Sequence, residues 1–379
     1  MKYYTANMIS ISLQDAVIHE DASSQCPGVV LVADDLTGAL DSAAQFAKLG
    51  HGAKVLLRGG VTREPVWAFS TGARHDSAET AGLKVEQNLS VLPTEVLRQT
   101  MFLQKIDSAG RGPIGPCILA AAKVIQPEVI LCAPAFPALG RSVRQGVLHV
   151  RHIAAQDASI QLRSMFPEEV QDRIALIRCG TMASVRAAMV EAQNIGHDIW
   201  LCDSDDDSDL RTLVQTALNL GFRILWSGSA GLAVALASEI SPPLRPRLTA
   251  FSPGGNAWLL ICGTAHPVTR LQMERLQARG NAPVLNMQWG TTSVMDIREK
   301  FQQSRPDSLI VTGGETAAFV LDALDCDSVH VGGELATGIP WGRIGGGLAD
   351  GCHIVTKSGG FGDENSLATA ADFCIRGCI

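Results

Sequence analysis

Two neighbouring carboxylates, Asp34 and Asp35, close the apolar run Val29–Ala33 and are followed at once by Thr37, Gly38 and a series of small residues. Side chains alternate along a strand, so of two neighbours one faces a crevice and the other is free to cap the helix that starts at the turn; Thr37 is an alternative cap. A carboxylate at a strand end, in a partly desolvated cleft, is a natural general base for a hydroxyl. The ordinary reading is that both are turn and cap residues, a common use of Asp.

A second cluster lies in "QKIDSAGRGPIGP", Gln104–Pro116. Lys105 and Asp107 stand two apart and share a strand face, with Ser108 next to them. Arg111, flanked by glycines, can fork onto a carboxylate or a phosphate. A surface Lys–Asp pair is the plainer alternative. Arginine recurs after two other apolar runs, at Arg74 in "STGARH" and at Arg141 in "APAFPALGRSVRQG". Three guanidiniums on three strand-end loops predict a positive basin opposite Asp34 and Asp35, suited to a small hydroxylated acid.

The C-terminal third is marked by glycine-rich turns beside apolar runs: "ICGTAHPVT" with Thr264, "VTGGETAAF" with Gly313, Gly314, Glu315 and Thr316, "VGGELATGIP" with Gly333, and "KSGGFGDEN" with Lys357, Gly359 and Gly360. Exposed amide N–H groups at such turns cradle phosphates, and several together weigh more than one. G-x-x-x-x-G-K-[ST] is absent, and G-x-G-x-x-G occurs at Gly110–Gly115, set off from the preceding apolar run by Asp107, Ser108 and Ala109 rather than directly after a strand.

The elements that must position these residues alternate between short apolar runs and helix-period segments. Strands are expected at "GVVLVA", "AKVLL", "PVWAFS", "MFLQKI" and "EVILCAPA", with helices over Gly38–Leu49, "SAETAGLKVEQNLSVL" and "IGPCILAAAKVI". The same alternation continues through "RIALIRC" to "SAGLAVALASEI", and resumes at "WLLICG". Every polar cluster falls at the carboxyl end of an expected strand, where parallel α/β sheets bind ligands. Between the two series, Ser238–Ala257 holds four prolines and two glycines and reads as a linker. The expectation is therefore an α/β protein of two domains with mainly parallel sheets and an active site in the inter-domain cleft. Residues 1–25 are a loose extension, 26–240 a substrate-binding domain, 241–256 the linker and 257–379 a second domain.

The chain has 379 residues, more than one core usually serves. Its net charge of −7, with scattered basic residues, leaves no footprint for nucleic acid. No apolar run reaches the ~18 residues of a membrane span, and the first residues lack the apolar core of a signal peptide. Ten cysteines at irregular spacing, several inside strand-like runs (Cys132, Cys202, Cys262), read as small buried hydrophobes of a cytoplasmic protein. Cys374 and Cys378 lack further ligands at zinc-like spacing. Asp363 and Glu364 are metal-ligand types, with a solvated loop the plainer reading, so the metal ligands stay unassigned.

In order along the chain, "VADDLTGALD", "KIDS…RG", "APAFPALGR", "SGSAGLA", "TGGETA" and "KSGGFGDEN" resemble the four-carbon acid sugar kinases, from about Gly28 to Asn365. The resemblance implies ATP-dependent phosphorylation of the terminal hydroxyl of threonate, erythronate or 3-oxo-tetronate, with the sugar acid on the first domain and ATP with Mg²⁺ on the second. It places Asp34, Arg74, Asp107, Ser108, Arg111 and Arg141 at the sugar acid. Thr264, Gly313, Gly314, Glu315, Thr316, Lys357, Gly359 and Gly360 fall at the nucleotide, and the glycine-rich turn of Gly333 is read with them. Catalysis falls to Asp35 and Asp34, with Lys105, Arg111 or Lys357 steadying the transferring charge. Asp35 is the preferred base, although strand phase is not fixed by sequence. Ala109-Gly110, Pro113 and Cys117 depart from the family's Thr-Leu, Asn and Glu, so the acid's identity is open, and an altered-specificity or non-catalytic sugar-acid binder is the alternative. A dehydrogenase or aldolase is disfavoured by the missing dinucleotide fingerprint and the lack of a Schiff-base lysine. The expected partners are ATP and a small sugar acid, with neither nucleic acid nor membrane; a homo-oligomer is allowed but not required.

Overall fold

The computed structural model describes residues 28–60, 62–151, 157–240, 257–280 and 282–377. The extension expected over 1–25 and the linker expected over 241–256 lie outside them, as does Cys378. Strand β1 (Val29–Ala33), buried throughout, runs into helix α1 (Leu36–Ala47). Next come β2 (Ala53–Leu56), β3 (Val66–Ser70), α2 (Ala78–Ser90), α3 (Thr94–Gln99), β4 (Met101–Lys105), α4 (Ile114–Ile125) and β5 (Val129–Ala133). Three short strands follow, β6 (Arg141–Arg144), β7 (Val147–Val150) and β8 (Ala158–Gln161), and then β9 (Ile174–Ile177), α5 (Met182–Asn194), β10 (Ile199–Cys202), α6 (Asp207–Leu218), β11 (Ile224–Gly228) and α7 (Ala230–Glu239). The second series is β12 (Trp258–Cys262), α8 (Pro267–Ala278), β13 (Val284–Asn286), α9 (Val294–Ser304), β14 (Ser308–Thr312), α10 (Gly314–Ala323), β15 (Ser328–Ala336), β16 (Ile339–Gly345), β17 (His353–Lys357) and α11 (Ser366–Arg376).

Local chemistry sets many of the helix starts. Asp35, Ser77, Thr181, Asp206 and Ser229 accept amide hydrogens at the N-termini of α1, α2, α5, α6 and α7. Ser293 and Asp296 form a reciprocal capping box on α9.

The strands make a 14-stranded sheet in the order β13-β12-β14-β17-β16-β15-β2-β3-β1-β4-β11-β5-β10-β9, and β6, β7 and β8 form a separate antiparallel sheet. The fold is the expected mixed α/β class with mainly parallel pairing. Antiparallel pairing in the large sheet is confined to β16–β17, β15–β16 and β15–β2. The last of these joins the two series through Ser328↔Leu56 to Val331↔Ala53, so the sheet does not break between them.

The segment Val331–Pro340, read from sequence as a glycine-rich phosphate turn, is instead most of the β15–β16 hairpin. Register shifts at Val331/Gly333 and Glu334/Ala336 mark bulges, which bend the strand and spoil the alternation that would have announced it. Helix α3 and the β6–β8 sheet were likewise not legible, being short; reading the sequence alone missed α9, although Ser293 and Asp296 at capping-box spacing, ahead of Ile297 and Phe301, mark its start.

Helix α1 lies at the junction. Leu36 to Phe46 are all buried, and the run of Gly, Ala and Ser allows close packing on every side. It packs on β2 and β3 of the first lobe and on β15, β16 and α10 of the second. One apolar core runs from Val30 and Leu103 through to Leu259, Val311 and Val329, spanning both lobes.

Candidate active site

Between the lobes lies a cleft of about 960 Å³, lined from the first lobe by Asp34, Asp35, Arg74, Arg111 and Arg141 and from the second by Thr264, Gly313–Thr316, Gly359 and Gly360. A narrow inner chamber of about 20 Å³ adjoins it, lined by Asp35, Thr37, Asp41, Lys105, Asp107 and Ser108 among others.

Asp34 and Asp35 both line the cleft, against the expectation that alternation separates them. They lie beyond the last strand residue, Ala33, where the chain is already turning, and the strand rule no longer applies. Arg74 explains the arrangement. Its Nε and Nη2 fork onto Asp34 at 2.9 and 2.7 Å, its Nη1 bonds Asp35, and Asp107 lies 3.8 Å away. Asp35 also accepts the Gly38 amide at 2.7 Å and the Thr37 hydroxyl at 2.8 Å. It therefore caps α1 and faces the cleft at once.

Burial alone would raise both carboxyls. For Asp35 the Arg74 and Lys105 charges, with the Thr37 and Gly38 donors, outweigh it and hold the group below its ordinary value. For Asp34 burial wins and its pKa is raised.

The three arginines come together, but they do not form a bare positive basin. Arg74 is neutralised by the aspartates. Arg111 forks onto Asp107 at 2.8 and 2.7 Å, while Asp107 also takes the amides of Ala109 and Arg111 at 3.2 and 3.1 Å. Burial opposes ionisation of Asp107, yet these donors and Arg74 hold it well below the usual range. Asp107 thus shapes the 107–111 loop. Arg111 remains largely exposed to the cleft, with 60% of its side chain accessible. Arg141 bonds the Leu139 carbonyl, and its guanidinium lies 5.9 Å from the Phe361 ring of the opposite lobe. Burial lowers its pKa.

Lys105 is buried, donates to the Ile106 carbonyl at 2.9 Å, and faces the inner chamber with Ser108. The altered loop is well packed: Gly110 has φ +74°, and a methyl there would sit 2.6 Å from Ile160 of β8. Cys117 is buried in α4, where desolvation pushes its thiol up to about 12, so it offers no thiolate near neutral pH.

On the second lobe, Gly313 (φ +99°) turns the chain from β14 into α10, and its amide donates to the Lys357 carbonyl at 2.8 Å. That bond brings the "GGET" and "KSGG" turns together. Carbonyls of the 358–363 loop are taken up from behind. Thr269 bonds Gly359 O at 2.7 Å, and Gln272 bonds Phe361 O at 3.1 Å and Asp363 O at 2.6 Å. Among the described residues the amides of Gly314, Gly359 and Gly360 meet no protein acceptor. Together with the N-terminus of α10, they form a nest suited to anionic oxygens.

Two expected nucleotide residues are not brought to the cleft. Lys357 points inward. Its Nζ donates to Thr269 Oγ1, Ser358 O, Gly359 O and Phe361 O between 2.9 and 3.2 Å, and burial pulls its pKa down to about 7. It scaffolds the turn instead of touching a ligand. Gly333 lies inside β15 at the bulge, beside Trp341 and Lys48, with φ +154°, a backbone conformation that a residue with a side chain rarely adopts.

Asp363 lines the cleft, but its Oδ1 accepts Asn365 N and Ser366 Oγ, and Glu364 pairs with Arg275 at 3.1 Å. Among the described residues no cluster of three or more His, Cys, Asp or Glu is arranged to hold a metal.

Contacts across the cleft include Thr37 Oγ1 with Ser358 Oγ at 3.2 Å and His75 with Glu315 at 3.6 Å. The lobes also pack tightly at Gly314, where a methyl would lie 2.7 Å from Asp35 Oδ2 and 3.0 Å from Thr37 Oγ1. Reading the sequence alone missed His75, Arg151, His266, Trp289, Thr337, Ser358 and Phe361 as wall residues. His75 and Ser358 adjoin recognised motifs and were within reach; the others carry no local signal.

Residues 29–236 match the family model of a sugar-binding N-terminal domain, and 291–367 that of a nucleotide-binding C-terminal domain. The chain is 27% identical to a D-threonate kinase of Bordetella bronchiseptica, over 91% of this chain and 97% of the relative. It is 22% identical to a 3-oxo-tetronate kinase of Actinobacillus succinogenes, over 88% and 97%. A crystal structure of Haemophilus influenzae protein HI1011 shares the fold, with a TM-score of 0.64 at 18% identity, covering 91% of this chain and all of the other.

Proposed function

The chain belongs to the four-carbon acid sugar kinase family, and on that premise we propose that it moves the terminal phosphoryl group of ATP to the terminal hydroxyl of a threonate, erythronate or 3-oxo-tetronate type acid. The observation that carries this reading is the approach of Asp35 Oδ2 to Gly314. It sets an ionised carboxylate of the sugar-binding lobe against the amide nest of the other.

The nest fits a polyphosphate. Its amides are uncommitted, and a side chain at Gly359 would strike Thr264 Oγ1 at 2.7 Å, so the backbone is left bare for a ligand. ATP supplies the phosphoryl group, and Mg²⁺ carried on its phosphates neutralises charge there; the donor set of the described residues provides no preformed cage for the ion.

Each protein group then has a role. Asp35 orients the hydroxyl and accepts its proton as the new bond forms. A carboxylate held below its ordinary pKa is a weak base but is fully ionised at neutral pH, and a loose phosphoryl-transfer transition state demands alignment more than basicity. Arg74 fixes both aspartates. Arg111 and Arg141 face the acid's carboxylate, and Lys105 adds positive charge from the inner chamber.

The test is a coupled ADP-release assay over the three acids. Asp35→Asn should lower kcat by about 10²-fold or more with little change in KM for ATP. Full activity in the variant would remove Asp35 as the base. Tight acid binding with no ADP formed by the wild type would favour the non-catalytic alternative.

A further inference from the structure

The nucleotide reading leaves open where the base lies, and the geometry points to Trp289. We propose that its indole is the platform on which the nucleotide base stacks. This rests on the reading of the second lobe as the ATP site.

Trp289 lies between β13 and α9 and lines the cleft, yet it remains 51% exposed. It is not loose: its Nε1 donates to the Gly263 carbonyl at 3.0 Å, and its ring meets Phe319 of α10 at 5.9 Å and 61°. A tryptophan fixed by a hydrogen bond and an aromatic neighbour, with half its surface left uncovered on a cleft wall, presents an organised apolar face rather than filling a core.

Its position along α10 gives the second argument. Gly314 of that helix abuts Asp35, Thr316 abuts Gly263, and Phe319 abuts Trp289. The contacts thus step away from the catalytic carboxylate over five residues of helix, about 7.5 Å of rise. A nucleoside triphosphate is a rod with the reacting phosphorus at one end and the base at the other. If the amides at Gly314 hold phosphate oxygens, the base falls toward the Phe319 end, where Trp289 stands. Pro267, Val268 and Ala318 add apolar surface to the same lobe's side of the cleft.

The test is calorimetric binding of ADP and of inorganic pyrophosphate to the full chain, wild type and variants. Trp289→Ala should weaken ADP about tenfold or more and leave pyrophosphate unchanged, because base–aromatic stacking is lost while the amide nest is intact. Trp289→Phe keeps a ring and should retain most ADP affinity, and it should abolish the quenching of tryptophan fluorescence by ADP. Equal ADP affinity in wild type and Trp289→Ala overturns the platform and leaves the kinase reading standing. A parallel loss for ADP and pyrophosphate also overturns it, since that marks a collapsed nest. A wild type that binds no ADP defeats the functional reading itself.

Discussion

Asp41 is buried in α1, touched by Gln45 and facing Lys105, Glu334 and Asp35. Burial drives its pKa from 3.8 up to about 7. The folded state therefore holds a proton that the unfolded state releases across that window. The contribution of Asp41 to stability falls as pH rises from about 4 to about 7 and is lost above, with an amplitude on the order of a few kcal/mol, while Lys357, pulled down to about 7, adds stability as pH rises beyond that. Between pH 5 and 7 the melting temperature of the wild type should fall relative to that of Asp41→Asn; a difference that does not change with pH would clear Asp41 of this role. Lys357 and Arg111 offer a contrast between scaffold and ligand contact. Lys357→Met strips an inward donor from four oxygens, so melting temperature and ADP affinity should fall together. Arg111→Ala also takes the fork off buried Asp107, so it should raise KM for the acid about tenfold or more and lower the melting temperature while leaving ADP affinity unchanged.

At the scale of elements, the seam is set by two helix N-termini, those of α1 and α10, which meet through Asp35 and Gly314. Alanine is the better helix former, and propensity alone would not disfavour it at Gly314, the first residue of α10. Its methyl, however, would lie 2.7 Å from Asp35 Oδ2. Gly314→Ala should therefore lower kcat by about 10²-fold or more while the circular-dichroism melt moves by only a few degrees. Unchanged turnover would show that the lobes are farther apart in the working enzyme. The β15–β16 hairpin does comparable positioning work from behind, since its bulges bend the sheet beneath α1.

Across the whole molecule, the lobes share one sheet, one apolar core and one buried helix. Any closing motion of the lobes must twist the β2–β15 seam. The wild type should unfold in a single calorimetric transition. Val329→Pro removes an amide from the antiparallel seam and should split that transition in two or broaden it markedly. A single sharp transition at unchanged temperature would show that β2–β15 pairing does not couple the lobes.

The sequence by itself determined the alternating strands and helices, because apolar runs such as Val29–Ala33 and cap residues such as Asp35 and Thr181 act over a few residues. It also brought out Asp34, Asp35, the three strand-end arginines and the "GGET" and "KSGG" turns, since residue type and position at strand ends are local properties. Only the tertiary structure decided that Arg74 neutralises both aspartates, that Lys357 turns inward and that Gly333 belongs to a bulge. The same holds for Trp289 facing the cleft. These depend on how the chain folds back on itself, and hydrogen-bond acceptors, packing faces and charge partners tens of residues away leave no trace in the local pattern.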